Sequence, residues 1–394
     1  MKAAIGSPFF VFRLLYNNLY SVSLLNIMTT EDTFLLDLLK VALGRASVAS
    51  VPEGLDWDVL FQLSSRQGVS PMVYDGIQRL GIPMDEVIRY KWIGMVGYHE
   101  SRYARYIASM ARLADFYRAQ GASMMVLKGY GLSLNYPIPN HRPMGDLDIY
   151  LTSLNGTPAG KNLYKVGDNA LKETFGIKVD DSHHHHSVFH FEGILVENHY
   201  DFINTYAHYS SRMAERYLKE WVQECPIPHE LNGVPIQLPP CTFNALFILR
   251  HSASHFAAIN MPLRHILDWT LFVEHHGHEI DWNRLMPVLE KLNLLRFCAV
   301  INTIGVRFFG FDENIFPVLA DDDSLVQRVL EEVLSPGFSE QEKGSLSSAL
   351  WVKPRRWWHN RWKNRLCYSD SLVSTFVHSF HAKIVKPDHF RRII

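Results

Sequence analysis

Asp146 and Asp148 stand two residues apart in the run HRPMGDLDIYL, with Leu147 between them. On an extended chain, residues two apart share a face, so both carboxylates reach a common cation while Leu147 and Ile149 turn into the core. Hard oxygen donors on one face suit Mg²⁺ or Mn²⁺ held over a nucleoside triphosphate, because these ions accept carboxylate and phosphate oxygens together. A candidate third acid follows in SVFHFEGILVENHYDF, where Glu197 shares a strand face with Leu195, His199 and Asp201. An acid within an apolar strand requires compensation, and a shared cation supplies it. A solvent-facing edge or terminal strand is the alternative account of these acids.

Positive groups and tight turns flank the carboxylates. Lys128 and Gly129 close the apolar run MMVL, where a turn presents backbone N–H groups to a phosphate. Arg142 is placed to meet a phosphate, and Gly145 lets the chain turn sharply into the strand that carries Asp146. His251 and His255 have the i, i+4 spacing of half a zinc site, but HExxH is absent, which favours packing or substrate contact. Arg264 and Asp268, at the same spacing, read as a helical ion pair. The four histidines at 183–186 are read as structural or incidental, since adjacent residues of an extended chain point in opposite directions and a flexible loop preorganises no metal site.

The elements that must hold these groups follow from apolar periodicity. Residues 32–123 read as helical, from FLLDLLKVAL to a long amphipathic pattern between about Met84 and Gln120. MMVL is then a short buried strand, residues 130–136 one or two helical turns ended by Pro137 and Pro139, and DLDIYL a second strand. Glu192 and Gly193 separate two strand-like runs as a hairpin. After Asp201 the patterns return to helix, interrupted by the Pro/Gly-rich connection CPIPHELNGVPIQLPP. The organisation expected is an N-terminal extension at 1–27, a helical region at 28–120, a core at 121–225, a helical second lobe at 226–315, and a helical and basic, tryptophan-rich tail at 316–394.

The chain has 394 residues, of which 47% are hydrophobic, and this excludes a disordered protein. Its net charge of -1 gives no global attraction to nucleic acid or anionic lipid. Four scattered cysteines form neither a disulfide scaffold nor a zinc knuckle. Arg13 breaks the apolar start of the chain, so a signal peptide is not expected, nor is a membrane span, and the localisation expected is cytoplasmic. Met28 is a candidate natural start, because Thr29, Thr30 and Glu31 open a capped helix. In the tail segment KPRRWWHNRWKNRLCY, either Trp357 and Trp358 anchor to the core, leaving Arg355, Arg356, Arg361 and Lys363 solvated, or the basic and tryptophan residues stack on bases or rest at a membrane surface.

The stretches LKG, HRPMGDLDIYL and VENHYDF together resemble the uncharacterised bacterial nucleotidyltransferase family within the polymerase-beta-like nucleotidyltransferase superfamily. The resemblance runs from about residue 30 to 310 and is sharpest between 124 and 201. It implies an α+β fold, with a small mixed-sheet core between N-terminal and C-terminal helical regions. It also implies that Asp146 and Asp148 are the metal pair, Glu197 the third acid and Gly129 the phosphate turn. Lys128, Arg142, Gly145, His255 and Arg264 are the further candidates for binding the donor. Tyr130 departs from the serine that many superfamily members place after the glycine. The expected activity is Mg²⁺- or Mn²⁺-dependent transfer of a nucleoside monophosphate from a nucleoside triphosphate to a hydroxyl-bearing small molecule, protein or RNA, with release of pyrophosphate. The alternative is a nucleotide-binding sensor or interaction protein with a degenerate site.

Overall fold

The computed structural model describes residues 28–47, 50–154, 163–206, 208–258, 260–335 and 360–370. The expectations about the first 27 residues and about Arg355, Arg356, Trp357 and Trp358 lie outside them. Helix α1 (Thr30–Ala42) opens on a Thr29 N-cap whose hydroxyl and the Asp32 carboxylate satisfy each other's backbone N–H groups. Helices α2 (Trp57–Arg66) and α3 (Ser70–Leu80) follow, the latter stopped by Gly81 in the left-handed region at φ 60°. The long α4 (Glu86–Ala119) then runs to the edge of the sheet region.

The sheet has six strands: β1 (Ala122–Val126), β2 (Leu147–Ser153), β3 (His186–Phe191), β4 (Ile194–His199), β5 (Ile227–Leu231) and β6 (Val234–Leu238). Their spatial order is β3-β4-β2-β1-β6-β5. It is mixed, since β1 runs antiparallel to β2 and parallel to β6, while β2 runs parallel to β4. The β3–β4 hairpin turns at Glu192 (φ 50°) and Gly193 (φ 80°), as the sequence predicts. The β5–β6 hairpin corrects the reading of 226–240 as a connection. Asn232 (φ 50°) and Gly233 (φ 81°) make its turn, and Asn-Gly between apolar runs is the corresponding sequence signal.

Period-two alternation divides the sheet between two cores. Met124, Val126, Leu147, Ile149, Leu151 and Val196 pack with Tyr106, Met110, Leu113 and Tyr117 of α4 and Leu171 of α6 (Leu163–Phe175). Met125, Leu127 and Tyr150 face the opposite way, into a larger core with the remaining helices. Those helices are the short α5 (Tyr130–Ser133), α7 (Tyr209–Trp221), α8 (Cys241–Ala258), α9 (Leu263–His276), α10 (Trp282–Lys291), α11 (Leu295–Phe309), α12 (Asp323–Leu334) and α13 (Arg361–Cys367). Asp148 shares its face with Tyr150, so the alternation aims it at α8 and α9. The α+β class expected from the sequence is the one observed.

Helix α13 corrects the expectation that Lys363 is solvated. Its ammonium is fully buried, 2.6 Å from a carboxylate oxygen of Glu332 and over the Phe256 ring. Trp362 packs edge-on against Phe256, and the backbone carbonyl of Cys367 accepts from Arg250 at 2.9 Å. Among the described residues, no single helix is long and apolar enough to cross a membrane.

Candidate active site

The candidate site is built on three adjacent strand ends. Leu127 N donates to the Asp148 carbonyl at 3.1 Å, which carries the β1–β2 ladder to the point where Lys128 begins. In the parallel β2–β4 ladder Asp148 stands directly opposite Glu197, and Tyr150 opposite His199. Successive residues alternate faces, so Asp148, Glu197 and His199 converge. Ligand atoms of these three side chains all lie within 4.8 Å of one another.

Asp148 is almost completely buried, at 1% exposure. Lys128 Nζ lies 3.0 Å from its Oδ1, and His199 Nε2 donates to the same oxygen at 3.1 Å. Burial works against the charge, yet Lys128 and His199 hold the carboxyl well below the usual carboxylate range. The reciprocal effect is seen on His199, where burial is outweighed by Asp148 and Glu197 and the imidazolium persists to about 9. His199 Nδ1 donates to the Asp201 carbonyl at 3.0 Å, so the ring orientation is fixed from behind. Asp148 Oδ2 is buried without a hydrogen-bond partner. A second lone-pair oxygen beside Glu197, left free in a dry position, fits a hard divalent cation, while Asp146 lines the same cleft but is outside this close group of ligand atoms.

Asp146 sits at the mouth, half-buried, on a loop held by α4. Tyr106 donates its hydroxyl to the Asp146 carbonyl at 2.6 Å, and Arg102 Nε donates to the Met144 carbonyl at 3.1 Å. Burial and the neighbouring Asp148 push its carboxyl above the usual range, which places the two acids in one field. Gly145 is exposed on this loop. Gly129 has φ 62° and ψ −100° and opens α5, a backbone shape that L side chains rarely adopt. Tyr130 turns away from the cleft to His229, with 2.8 Å between its hydroxyl and Nε2.

A cleft separates this sheet edge from α8 and α9, bounded by Lys128, Asp146 and Asp148 on one side and His255 and Arg264 on the other. Arg264 corrects an expectation, because its i, i+4 neighbour Asp268 pairs elsewhere. Arg142 takes that carboxylate in a bidentate grip, Nε to Oδ1 at 2.7 Å and Nη2 to Oδ2 at 2.8 Å, and Tyr136 adds a hydroxyl at 2.7 Å. Arg142 therefore lines the cleft as a neutralised strut. Arg264 donates Nη1 to the Pro143 carbonyl at 2.9 Å, while its Nε is buried without a partner. Among the described residues, no carboxylate lies in ion-pair range of its guanidinium.

His251 and His255 lie on one face of α8 with ring centroids 4.5 Å apart, and His265 joins them from α9 at 5.4 and 5.3 Å. Lys128 Nζ donates to His251 Nε2 at 2.8 Å. Burial and Lys128 push His251 well below its ordinary value and His255 down to about 4, so both imidazoles are neutral. Sequence reasoning assigned no role to His199, although its spacing from Glu197 already put it on the acidic face.

The reading of the histidines at 183–186 as a loop that preorganises nothing is also corrected. His186 begins β3 directly opposite His199, and the chain bends at 183–185, which cancels the alternation that would have turned His185 away. Burial and neighbouring imidazoles push His185 down to about 2 and His186 to about 3.

A family model described as uncharacterised nucleotidyltransferase matches residues 53–310. Among solved structures, the chain is similar to an antigenic nucleotidyltransferase-like protein from Paracoccidioides brasiliensis, at 14% identity and a TM-score of 0.33, over 47% of this chain and 85% of that one. It is also similar to the polymerase core of TRAMP, an RNA surveillance complex, at 15% identity and a TM-score of 0.20, over 65% of this chain and 70% of that one. No curated protein matches. Because the family match spans more than half of the 394 residues, the chain belongs to this uncharacterised nucleotidyltransferase family.

Proposed function

We propose that this protein transfers a nucleoside monophosphate from a nucleoside triphosphate to a hydroxyl-bearing acceptor, using a divalent metal held by Asp146, Asp148 and Glu197. The observation that carries the reading is the parallel β2–β4 register, which puts Glu197 opposite Asp148, an acid that lines a cleft also bounded by Lys128 and Arg264. Mg²⁺ or Mn²⁺ in that acidic site would neutralise triphosphate charge and lower the pKa of an acceptor hydroxyl. The remaining work belongs to the chain. Gly129 offers a turn without side-chain obstruction, and Lys128 and Arg264 bring positive charge to opposite walls of the cleft. The neutral His255 is a hydrogen-bonding group within reach of an anion bound there. Arg142 holds the wall through Asp268, and the α4 contacts to residues 144–146 fix the position of Asp146.

The test is pyrophosphate release from each of the four ribonucleoside triphosphates with Mg²⁺ or Mn²⁺, using clarified lysate as the acceptor pool. Release by the native chain that is lost in Asp146→Asn supports transfer. Nucleotide binding without release across a broad acceptor panel supports the second reading, a nucleotide-binding sensor or interaction protein. One observation favours that alternative: Lys128 and His199 already neutralise Asp148, and residue 130 offers no hydroxyl to the cleft. An RNA acceptor draws less support from the tail, because Trp362 and Lys363 are committed to the core.

A further inference from the structure

The cleft face of β3 and β4 carries more nitrogen than a magnesium site uses. His186 and His199 face each other across the β3–β4 ladder, and His185 reaches the same place from the bend before β3. Ligand atoms of the three side chains all lie within 4.8 Å of one another. Their ring centroids are 4.1 Å apart for His185 and His186, 5.0 Å for His186 and His199, and 5.6 Å for His185 and His199.

Two observations separate this cluster from ordinary histidine packing. The Nδ1 atoms of His185 and His186 are both buried without a hydrogen-bond partner, although His186 is only 6% exposed. Leaving such atoms dry and unpaired is costly, and hydrogen bonding or metal ligation removes the cost. The backbone is also prepared: His199 Nε2, which gives up its proton and its 3.1 Å hydrogen bond to Asp148 Oδ1 when it ligates, is oriented from behind by Nδ1 donating to the Asp201 carbonyl at 3.0 Å. This is the outer contact that metal-binding imidazoles commonly make. The His185 carbonyl accepts from Tyr200 N and Asp201 N, each at 3.0 Å, which ties the bend to the end of β4. Glu197 Oε2 stands 3.6 Å from both His186 Nδ1 and His199 Nε2, an oxygen donor at the edge.

We propose that His185, His186 and His199, with Glu197 beside them, bind a divalent transition-metal ion of the zinc class at a nitrogen-rich site that adjoins the Asp146/Asp148 oxygen site and shares Glu197 with it. Imidazole-rich sets suit Zn²⁺ and Co²⁺, with metal–nitrogen distances of about 2.0–2.1 Å, whereas Mg²⁺ takes oxygen. The proposal does not depend on the transfer reaction.

The experiment uses the full chain without an affinity tag, stripped by chelator. Zn²⁺ affinity is measured by competition with a chromophoric chelator, and the site is read with Co²⁺ by visible absorption. The expected result is one ion per chain with a four-coordinate Co²⁺ spectrum. Binding weakens at least about 10-fold in the double variant His185→Ala/His186→Ala and again in His199→Asn, each shown to be folded by circular dichroism. It is retained in His183→Ala/His184→Ala and in Asp146→Asn. Absence of Zn²⁺ binding by the native chain overturns the proposal. So does binding that survives His199→Asn unchanged or vanishes with His183→Ala/His184→Ala, because the ion would then be held by the tract alone. Asp146→Asn that loses pyrophosphate release but keeps Zn²⁺ separates the two sites.

Discussion

At the residue scale, Asp146 and Asp148 do different jobs although they are chemically alike. Asp146 is half-buried at the mouth, whereas Asp148 is the buried partner of two cations. Asp146→Asn is therefore expected to lower transfer at least about 100-fold with little change in the thermal midpoint. Asp148→Asn should abolish transfer and also destabilise the fold by about 3–5 kcal/mol, because it leaves the buried Lys128 charge without its carboxylate and His199 with Glu197 alone. Denaturant titration beside the activity assay distinguishes the two outcomes. His141 gives a separate test of pH dependence. Burial lowers its proton affinity, but Asp75 at 2.8 Å and Glu100 at 3.3 Å outweigh this and raise it above 6.5. A raised histidine value means that the stabilisation is fully present below the unfolded value near 6.5 and fades as pH rises through the folded one. The buried neutral histidines titrate with the opposite sign, so the His141 share is read as the stability difference between the native chain and Asp75→Asn, which should shrink as pH rises through that window.

At the element scale, the close approach of α1 and α3 is set by one residue. A Cβ added at Gly76 would lie 2.3 Å from the Leu38 carbonyl oxygen, which is backbone and cannot swing aside. Gly76→Ala is expected to cost about 1–3 kcal/mol by denaturant unfolding while leaving nucleotide binding intact, since the contact is remote from the cleft. Elements with strong local signals were legible in the sequence: the Thr29 cap, the Gly81 stop, the long α4 and the Glu192–Gly193 turn. The β5–β6 strands were not read, although Asn232 and Gly233 carried the turn signal, because prolines in the same stretch suggested a loop. Partner choice was the other failure. Spacing alone paired Asp268 with Arg264, while the fold delivers Arg142 to it from the loop before β2. The convergence of residues 185, 186 and 199 depends on a chain bend and on strand order, neither of which local periodicity encodes.

At the scale of the whole molecule, the sheet separates two cores, and the acids lie on the side facing α8 and α9. The Arg142–Asp268 pair bridges the β2 approach loop and α9, so it braces both walls of the cleft. Arg142→Ala is expected to cost about 3–5 kcal/mol and to weaken donor binding through the displaced wall. The central claim is that the three acids hold a divalent metal through which the cleft takes a nucleoside triphosphate, and it can be tested without knowing the acceptor. The measurement is calorimetric titration of each nucleoside triphosphate into the native chain and into Asp146→Asn, with Mg²⁺ and with chelator. The expected result is binding strengthened at least about 10-fold by Mg²⁺ in the native chain, with that gain lost in the variant. Nucleotide affinity that is the same with and without Mg²⁺, and the same in both proteins, would contradict the account.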